Sequence, residues 1–152
     1  MKEKILLLVI FLLCIGFMGC QKYPETQCPC GKIEISKKEY IAMCILPDIV
    51  TENSVNVLRM ENYTKLTMGY GSVFSMKYFN DDCWEDVEFD FVFTDIAYGM
   101  HSKTAEEKVW DLYSLTKYNN YKKGTYKITK EVWLYDYPNP PCYYLSAEFE
   151  LK

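Results

Sequence analysis

A cysteine near the start of the chain stands where a thiol would accept a lipid. Cys20 follows Gly19 and an apolar run, Ile5–Ile15, which Lys2 and Lys4 precede. A positively charged start, a short apolar stretch and a small residue before the cleavage point are the parts of a secretion signal. The sequence therefore predicts a lipoprotein signal peptide, cleavage before Cys20, and acylation of the Cys20 thiol and amino group.

The predicted membrane attachment is a lipid rather than a spanning helix. The apolar run has 11 residues, whereas a helix that crosses a bilayer needs roughly 20. Two or more acyl chains hold a protein stably at a membrane. We therefore divide the chain into a signal peptide at 1–19, a lipidated tether with prolines and a glycine at 20–31, and one globular domain at 32–152. The predicted location is the bacterial cell envelope, at the periplasmic or surface face of a membrane.

Five cysteines remain beside Cys14 and Cys20, and they fit an exported protein. They are Cys28, Cys30, Cys44, Cys83 and Cys142. Exported proteins with several cysteines commonly form disulfides. The pair Cys28-Pro29-Cys30 has a spacing of one residue, and no second Cys/His pair follows it, so it does not fit a zinc site. We expect no metal and no cofactor.

Charge and residue types argue against nucleic-acid binding and against catalysis. Removal of residues 1–19 leaves 15 basic and 20 acidic side chains, a net charge of −5, which does not favour phosphates. The single histidine, His101, is next to Ser102, and adjacent residues of a strand point to opposite faces. Acidic pairs such as Asp81-Asp82 fall in or beside predicted turns. We therefore expect a protein that is not an enzyme.

The pattern of apolar residues in the domain predicts mostly β-strands. Tyr143–Leu151 alternates apolar and polar residues, and Gly124–Tyr135 does the same, with a turn-forming stretch at 136–141 between them; this predicts a closing hairpin. Further predicted strands are Lys32–Ser36, Ser54–Met60, Ser72–Phe79, Trp84–Glu88 and Phe89–Tyr98. About seven short strands favour an all-β sandwich. Thr104–Glu107 has the form of a capping box and predicts a short helix in one connection.

One ordered set of residues resembles a known family. The set comprises Tyr70-Gly71-x-x-Phe74-Ser75-Met76, Trp84, Phe93–Tyr98, Trp110, Gly124-x-Tyr126-Lys127-Ile128-x-Lys130 and Leu145–Leu151. It is similar to bacterial immunoglobulin-like domains of exported and surface proteins, although the family usually has arginine where this chain has Lys127. The resemblance implies an immunoglobulin-like antiparallel β-sandwich and a noncatalytic binding or spacer module. It also implies a tyrosine corner at Tyr126, with Ile128 in place of the core cysteine.

A sandwich with strands of alternating direction makes a prediction about the cysteines. Cys142 and Cys30 (or Cys28) fall at one end, and Cys44 and Cys83 at the other. Because a disulfide needs Cα atoms within about 7 Å, the allowed pairs are Cys30–Cys142 and Cys44–Cys83. The alternative is that all five thiols are reduced.

An excess of tyrosine is the remaining functional signal. The chain has 14 tyrosines, and the candidate binding residues around the last hairpin are Tyr135, Tyr137, Tyr143 and Tyr144. Exposed tyrosines suit sugar rings or a protein partner; alternatively, these rings cover the ends of the sandwich.

Two functions follow as expectations. The first is a lipid-anchored envelope lipoprotein whose domain acts as a protein-interaction or structural module, with an unknown envelope protein as its partner. The second is a surface lipoprotein that binds a glycan through exposed tyrosines. A row of exposed aromatic rings on one sheet would favour the glycan, whereas an apolar patch beside an uncovered strand edge would favour a protein. Asn62-Tyr63-Thr64 fits a glycosylation sequon, which we interpret as accidental.

Overall fold

The structure is a computed structural model, which describes residues 31–89, 93–118, 121–135 and 140–152. The predicted signal peptide and nearly all of the tether, with Cys20, Cys28 and Cys30, lie outside the described residues. Tyr137 lies outside them as well.

Eleven strands and one short helix make up the described elements. The strands are β1 Gly31–Ser36, β2 Glu39–Leu46, β3 Ile49–Val50, β4 Asn56–Asn62, β5 Met68–Gly71, β6 Ser75–Asn80, β7 Cys83–Asp86, β8 Ala97–Met100, β9 Thr104–Trp110, β10 Gly124–Leu134 and β11 Cys142–Leu151. The helix α1 is Leu112–Tyr118.

The strands form two sheets packed face to face. The first has the order β1-β2-β4-β9, and the second has the order β3-β11-β10-β5-β8, with β6 pairing with β10 and β7 with β6. Every described pairing is antiparallel except β3 with β11. The predicted all-β sandwich is confirmed. It has more strands than the predicted seven, because β2, β3, β5 and β9 were not recognised in the sequence.

The helix predicted at Thr104–Glu107 is wrong. That segment is the start of β9, and it pairs antiparallel with β4 from Asn62↔Thr104 to Asn56↔Trp110. Long-range pairing with a strand more than forty residues earlier therefore overrides the local capping pattern. A helix does occur in the same connection, one element later: the Asp111 carboxylate accepts a hydrogen bond from the Ser114 N–H at 2.9 Å and caps α1. Hydrogen bonding from the Ser114 side chain, together with this backbone bond, lowers the pKa of Asp111.

The core lies between the sheets and follows from the alternation of the strands. Buried apolar side chains come from alternate positions of β2, β4, β10 and β11, and they include Ile41, Met43, Ile45, Leu58, Met60, Tyr126, Ile128, Val132, Leu134, Leu145, Ala147, Phe149 and Leu151. The long β10–β11 hairpin is confirmed, with ten residue pairs from Gly124↔Leu151 to Trp133↔Cys142.

Tyr126 occupies the position expected of a tyrosine corner. Its hydroxyl donates to the Lys122 carbonyl oxygen at 2.5 Å, and its buried ring stacks on Phe149 with the ring centroids 5.4 Å apart. Ile128, two residues later on the same face, is fully buried. The bond and the packing together fix the start of β10 against the core.

Candidate interaction surface

An apolar row crosses the outer face of the first sheet. Leu46 of β2 pairs with Val57 of β4, and Val57 pairs with Val109 of β9. All three point away from the core, because their neighbours Ile45 and Leu58 point into it. Leu46 is 44% exposed and Val109 75%. We call Leu46, Val57 and Val109 the apolar row.

The apolar row ends at an open strand edge. Within the described residues, β9 has one sheet neighbour, β4. Alternate backbone N–H and C=O groups on the other side of β9 therefore lack strand partners in that part of the chain. Such an edge can accept an additional strand.

Charged side chains border the apolar row on one side. Two residues along the same strands, the Arg59 guanidinium contacts the Glu61 carboxylate at 2.7 Å and the Glu107 carboxylate at 3.0 Å. Ion pairs this exposed contribute little to stability, because water and salt screen them. Their main effect is to set the polarity of the surface: an apolar strip with a polar rim, which is the arrangement common in protein interfaces.

The inward-facing side chains of β9 are held by tyrosines at the rim of the sandwich. Glu106 accepts a hydrogen bond from the Tyr70 hydroxyl at 3.2 Å. The Lys108 ammonium lies 3.6 Å from the ring centroid of Tyr98, and the rings of Tyr70 and Tyr98 stack with centroids 5.3 Å apart. Desolvation and the nearby Glu106 raise the pKa of Tyr70. The edge strand thus carries one acidic and one basic side chain in fixed positions.

A second surface lies on the outer face of the second sheet, around Trp133. Trp133 pairs with Gly69 of β5, and Gly69 pairs with Gly99 of β8. A Cβ atom on Gly69 would overlap the indole nitrogen of Trp133, so the indole can lie there because the residue beneath it is glycine. The Trp133 and Tyr135 rings meet edge to face at 85°, with centroids 6.1 Å apart. These two rings therefore do not form one flat platform.

Of the four tyrosines predicted to bind a ligand, the three that the structure describes do not share a face. Tyr135 is 41% exposed and Tyr144 is 64% exposed. Tyr143 is paired with the buried Val132 and packs against the core. Tyr137 lies outside the described residues. Trp133 was missed by sequence reasoning, because nothing in the sequence shows that Gly69 lies opposite it.

The domain matches one known family over most of its length. A sequence model described as the bacterial Ig-like domain matches residues 37–150. The chain belongs to this family. Domains of this Ig-like family are generally noncatalytic surface or interaction modules, and they are typically extracellular or surface-associated. No curated protein matches the chain.

A solved structure also matches the chain weakly. It is a crystal structure of a protein from Archaeoglobus fulgidus, with 7% sequence identity and a TM-score of 0.28. The alignment covers 81% of this Ig-like chain and 94% of that one.

Cys142 of the Ig-like domain is an exposed free thiol, so the predicted Cys30–Cys142 disulfide is wrong. The thiol donates to the Glu131 carboxylate at 3.0 Å, and this bond raises the pKa of Cys142.

The other two described cysteines are oxidised. Cys44 and Cys83 are each part of a disulfide. The pairing of these two with each other stays a prediction.

Neither a metal site nor a spanning helix occurs where the structure can be read. Residues 31–89, 93–118, 121–135 and 140–152 contain no group of three or more His, Cys, Asp or Glu side chains able to hold a metal ion. Over the same ranges, no helix has the length and apolar character needed to cross a bilayer. His101 is exposed, and so is the adjacent Ser102.

Proposed function

We propose that this chain is a lipid-anchored lipoprotein of the bacterial cell envelope whose Ig-like domain binds a protein partner. The observation that carries the proposal is the apolar row, which leads directly to the open edge of β9. The two features are complementary. The edge offers main-chain hydrogen bonds to an extended segment, and the apolar row offers a surface for its side chains.

Burial of the apolar row by a partner would contribute substantially to the free energy of binding. Full burial of a valine or leucine side chain contributes about 1.5–3 kcal/mol, and Leu46 and Val109 start from substantial exposure. Val55, which is also exposed, precedes β4 beside the apolar row. The Arg59 ion pairs border the apolar row and would orient a partner without adding much affinity.

A protein partner is favoured over a glycan. Sugar rings stack best on flat, exposed aromatic faces, whereas Trp133 and Tyr135 are perpendicular and Tyr143 faces inward. Tyr144 and Tyr135 remain available on the second sheet, so carbohydrate binding stays the alternative function.

The partner-binding part of the proposal is tested in the native envelope. A photoreactive amino acid at Val109 is expected to form an adduct with one protein. Where the partner covers the whole apolar row, the adduct should disappear when Leu46, on β2 and two strands from β9, is changed to Asp. The matched control is the same photoreactive residue at Tyr144, on the other sheet. Adducts that survive Leu46→Asp, or equal adducts at both positions, would contradict a specific partner at the apolar row. An adduct with glycan at Tyr144 alone would favour the alternative.

The anchor is tested separately by fractionation. The full chain is expected in the membrane fraction, and Cys20→Ser should move it to the soluble fraction because the acyl chains can no longer be attached. Cys142→Ser is the control, since it removes an exposed thiol that has no role in anchoring. Retention of the Cys20→Ser chain in the membrane would contradict lipid anchoring.

A further inference from the structure

We propose that the partner at β9 is a second copy of this chain, paired antiparallel about a two-fold axis at Glu107. The inference rests on the proposed function, because it uses the same open edge and names the occupant there; a copy paired in the plane of the sheet contacts Val109 and leaves Leu46, two strands away, uncovered. The two four-stranded sheets would join into one continuous sheet of eight strands, with each β9 lying beside the other.

Charge complementarity along β9 supports a second copy. In antiparallel pairing centred on Glu107, Glu106 of each copy lies opposite Lys108 of the other, so that two opposite-charge pairs form. Ala105 lies opposite Val109 on the outer face. Directly opposite side chains of neighbouring antiparallel strands have Cβ atoms about 4.5–5.5 Å apart and interact. The pairing also covers Val109, the most exposed member of the apolar row.

The neighbouring registers are disfavoured by the same charges. Pairing centred on Glu106 would place the two Glu106 carboxylates opposite each other, and pairing centred on Lys108 would do the same with two ammonium groups. Like charges directly opposite each other are destabilising. A shift by one residue would turn the two sandwiches to opposite sides of the joint sheet. The sequence of β9 therefore selects one register among those that keep the sheet continuous.

The central contact brings together two Glu107 side chains, and each is paired within its own copy. Arg59 Nη1 contacts the Glu107 carboxylate at 3.0 Å, and the same guanidinium contacts the Glu61 carboxylate at 2.7 Å. The like-charge repulsion at the two-fold axis is thus reduced by two guanidinium groups on the same face, and the two Glu106–Lys108 pairs outweigh what remains. Since the axis makes the interface isologous, the pairing closes at two copies and does not propagate into a fibre.

Charged residues on edge strands commonly prevent pairing, and here they discriminate between pairings instead. Glu106 is tied to Tyr70 and Lys108 to Tyr98, so both charges keep fixed places along the edge. A shared membrane anchor would confine the copies to one plane and raise their effective concentration, which allows a modest interface to form.

Cysteine cross-linking of the full, lipidated chain in membranes tests the register. In a Cys142→Ser background, which removes the exposed thiol, Glu107→Cys should give a disulfide-linked dimer under a mild oxidant. Ala105→Cys and Val109→Cys are the matched controls, because position 105 of one copy lies opposite position 109 of the other. In either single variant the two introduced thiols, one in each copy, are about 13 Å apart, which is too far for a disulfide. Together, in one double variant, they should cross-link.

Charge reversal tests the recognition. With the Glu107→Cys reporter, Glu106→Lys or Lys108→Glu alone should reduce the dimer roughly tenfold, because two attractive pairs become repulsive. The double variant, Glu106→Lys with Lys108→Glu, should restore it. A chain that merely failed to fold would not be rescued by the second charge reversal.

The remaining outcomes separate this inference from the proposed function. Equal cross-linking at 105, 107 and 109, or none at any position, overturns the two-fold pairing. If the photoreactive residue at Val109 then captures a different protein in a manner sensitive to Leu46→Asp, the proposed function stands without the inference. If it captures nothing, both fail.

Discussion

Lys130 donates a hydrogen bond to the carbonyl oxygen of Val73 at 3.0 Å from a position inside the sandwich. The ammonium also contacts the Ser72 carbonyl oxygen at 3.3 Å, and the residue is 4% exposed. Its place on β10, between Ile128 and Val132, is one where the alternation requires an inward side chain. Burial, with a smaller contribution from Lys108, lowers the pKa of Lys130 to about 8.

We expect the stability of the domain to rise as the pH rises from 8 to 9.5. The unfolded chain, with an ordinary lysine pKa of about 10.4, keeps the proton that the folded chain releases above about pH 8, so folding gains free energy with pH. The gain should reach about 2 kcal/mol at pH 9.5. Urea unfolding at a series of pH values measures this gain, in a Cys142→Ser background that removes a thiol whose pKa the fold raises.

The control for the pH prediction is Lys130→Met, whose stability should lack this rise. The window stops below pH 10, because Tyr126, with its pKa raised to about 12 by burial, resists ionisation in the fold and reverses the trend above the ordinary tyrosine pKa. A wild-type profile that is flat or falling between pH 8 and 9.5 would show that Lys130 is not held as described.

Removal of the Tyr126 hydroxyl should destabilise the domain without unfolding it. Tyr126→Phe keeps the ring on Phe149 and deletes the bond to the Lys122 carbonyl. The expected loss is about 1–2 kcal/mol in the free energy of unfolding, typical of a partly buried hydrogen bond. Tyr144→Phe, at an exposed position, is the control and should change stability by less than about 0.5 kcal/mol. Equal losses of stability in Tyr126→Phe and Tyr144→Phe would argue against a stabilising role for the Tyr126 hydroxyl.

Asn62 should remain unmodified in a host that glycosylates sequons. Its side-chain amide is fully buried and donates to the carbonyl oxygens of Leu66 at 2.8 Å, His101 at 3.1 Å and Met100 at 3.2 Å. Its oxygen accepts from the Thr64 hydroxyl at 2.7 Å. Intact mass after secretion from such a host should therefore match the bare chain. A glycan at Asn62 would mean that the amide is accessible before this network forms.

Loss of the Asn62 amide should also be costly. Asn62→Leu leaves several buried carbonyl groups without a donor, and each unsatisfied group costs about 1–3 kcal/mol. We expect at least about 3 kcal/mol of destabilisation by urea unfolding. Asn53→Leu, at an exposed turn position, should have little effect.

Gly69→Ala should destabilise the second sheet through a clash with Trp133. The added methyl group would overlap the indole, and displacement of the ring costs about 1–3 kcal/mol, as overpacking generally does. Trp133→Ala removes the closest overlap and leaves the one with the Tyr135 ring, so Gly69→Ala should cost clearly less in that background. A double-mutant cycle in urea measures the coupling. Additive losses would contradict the close stacking.

The hairpin and the core could be predicted because their signals are local. In β10 and β11, apolar residues alternate over ten positions, and both strands lie where the alternation places them. The helix prediction at Thr104–Glu107 failed because the capping pattern is a local signal, whereas the pairing of this segment with β4 is long-range. Lys130 could not be placed, since the carbonyl groups that receive its ammonium belong to the segment before β6. The apolar row combines residues from β2, β4 and β9, and only the register brings them together.

The two-residue strand β3 joins segments from opposite ends of the domain. The Glu150 N–H donates to the Asp48 carbonyl oxygen at 2.7 Å, and the Lys152 N–H donates to that of Val50 at 3.0 Å. A parallel pairing of this kind cannot form as a hairpin, and its loop-closure entropy is large until the intervening strands have folded. These two amide protons are therefore expected to gain protection from hydrogen exchange late in refolding, which makes them reporters of the completed domain.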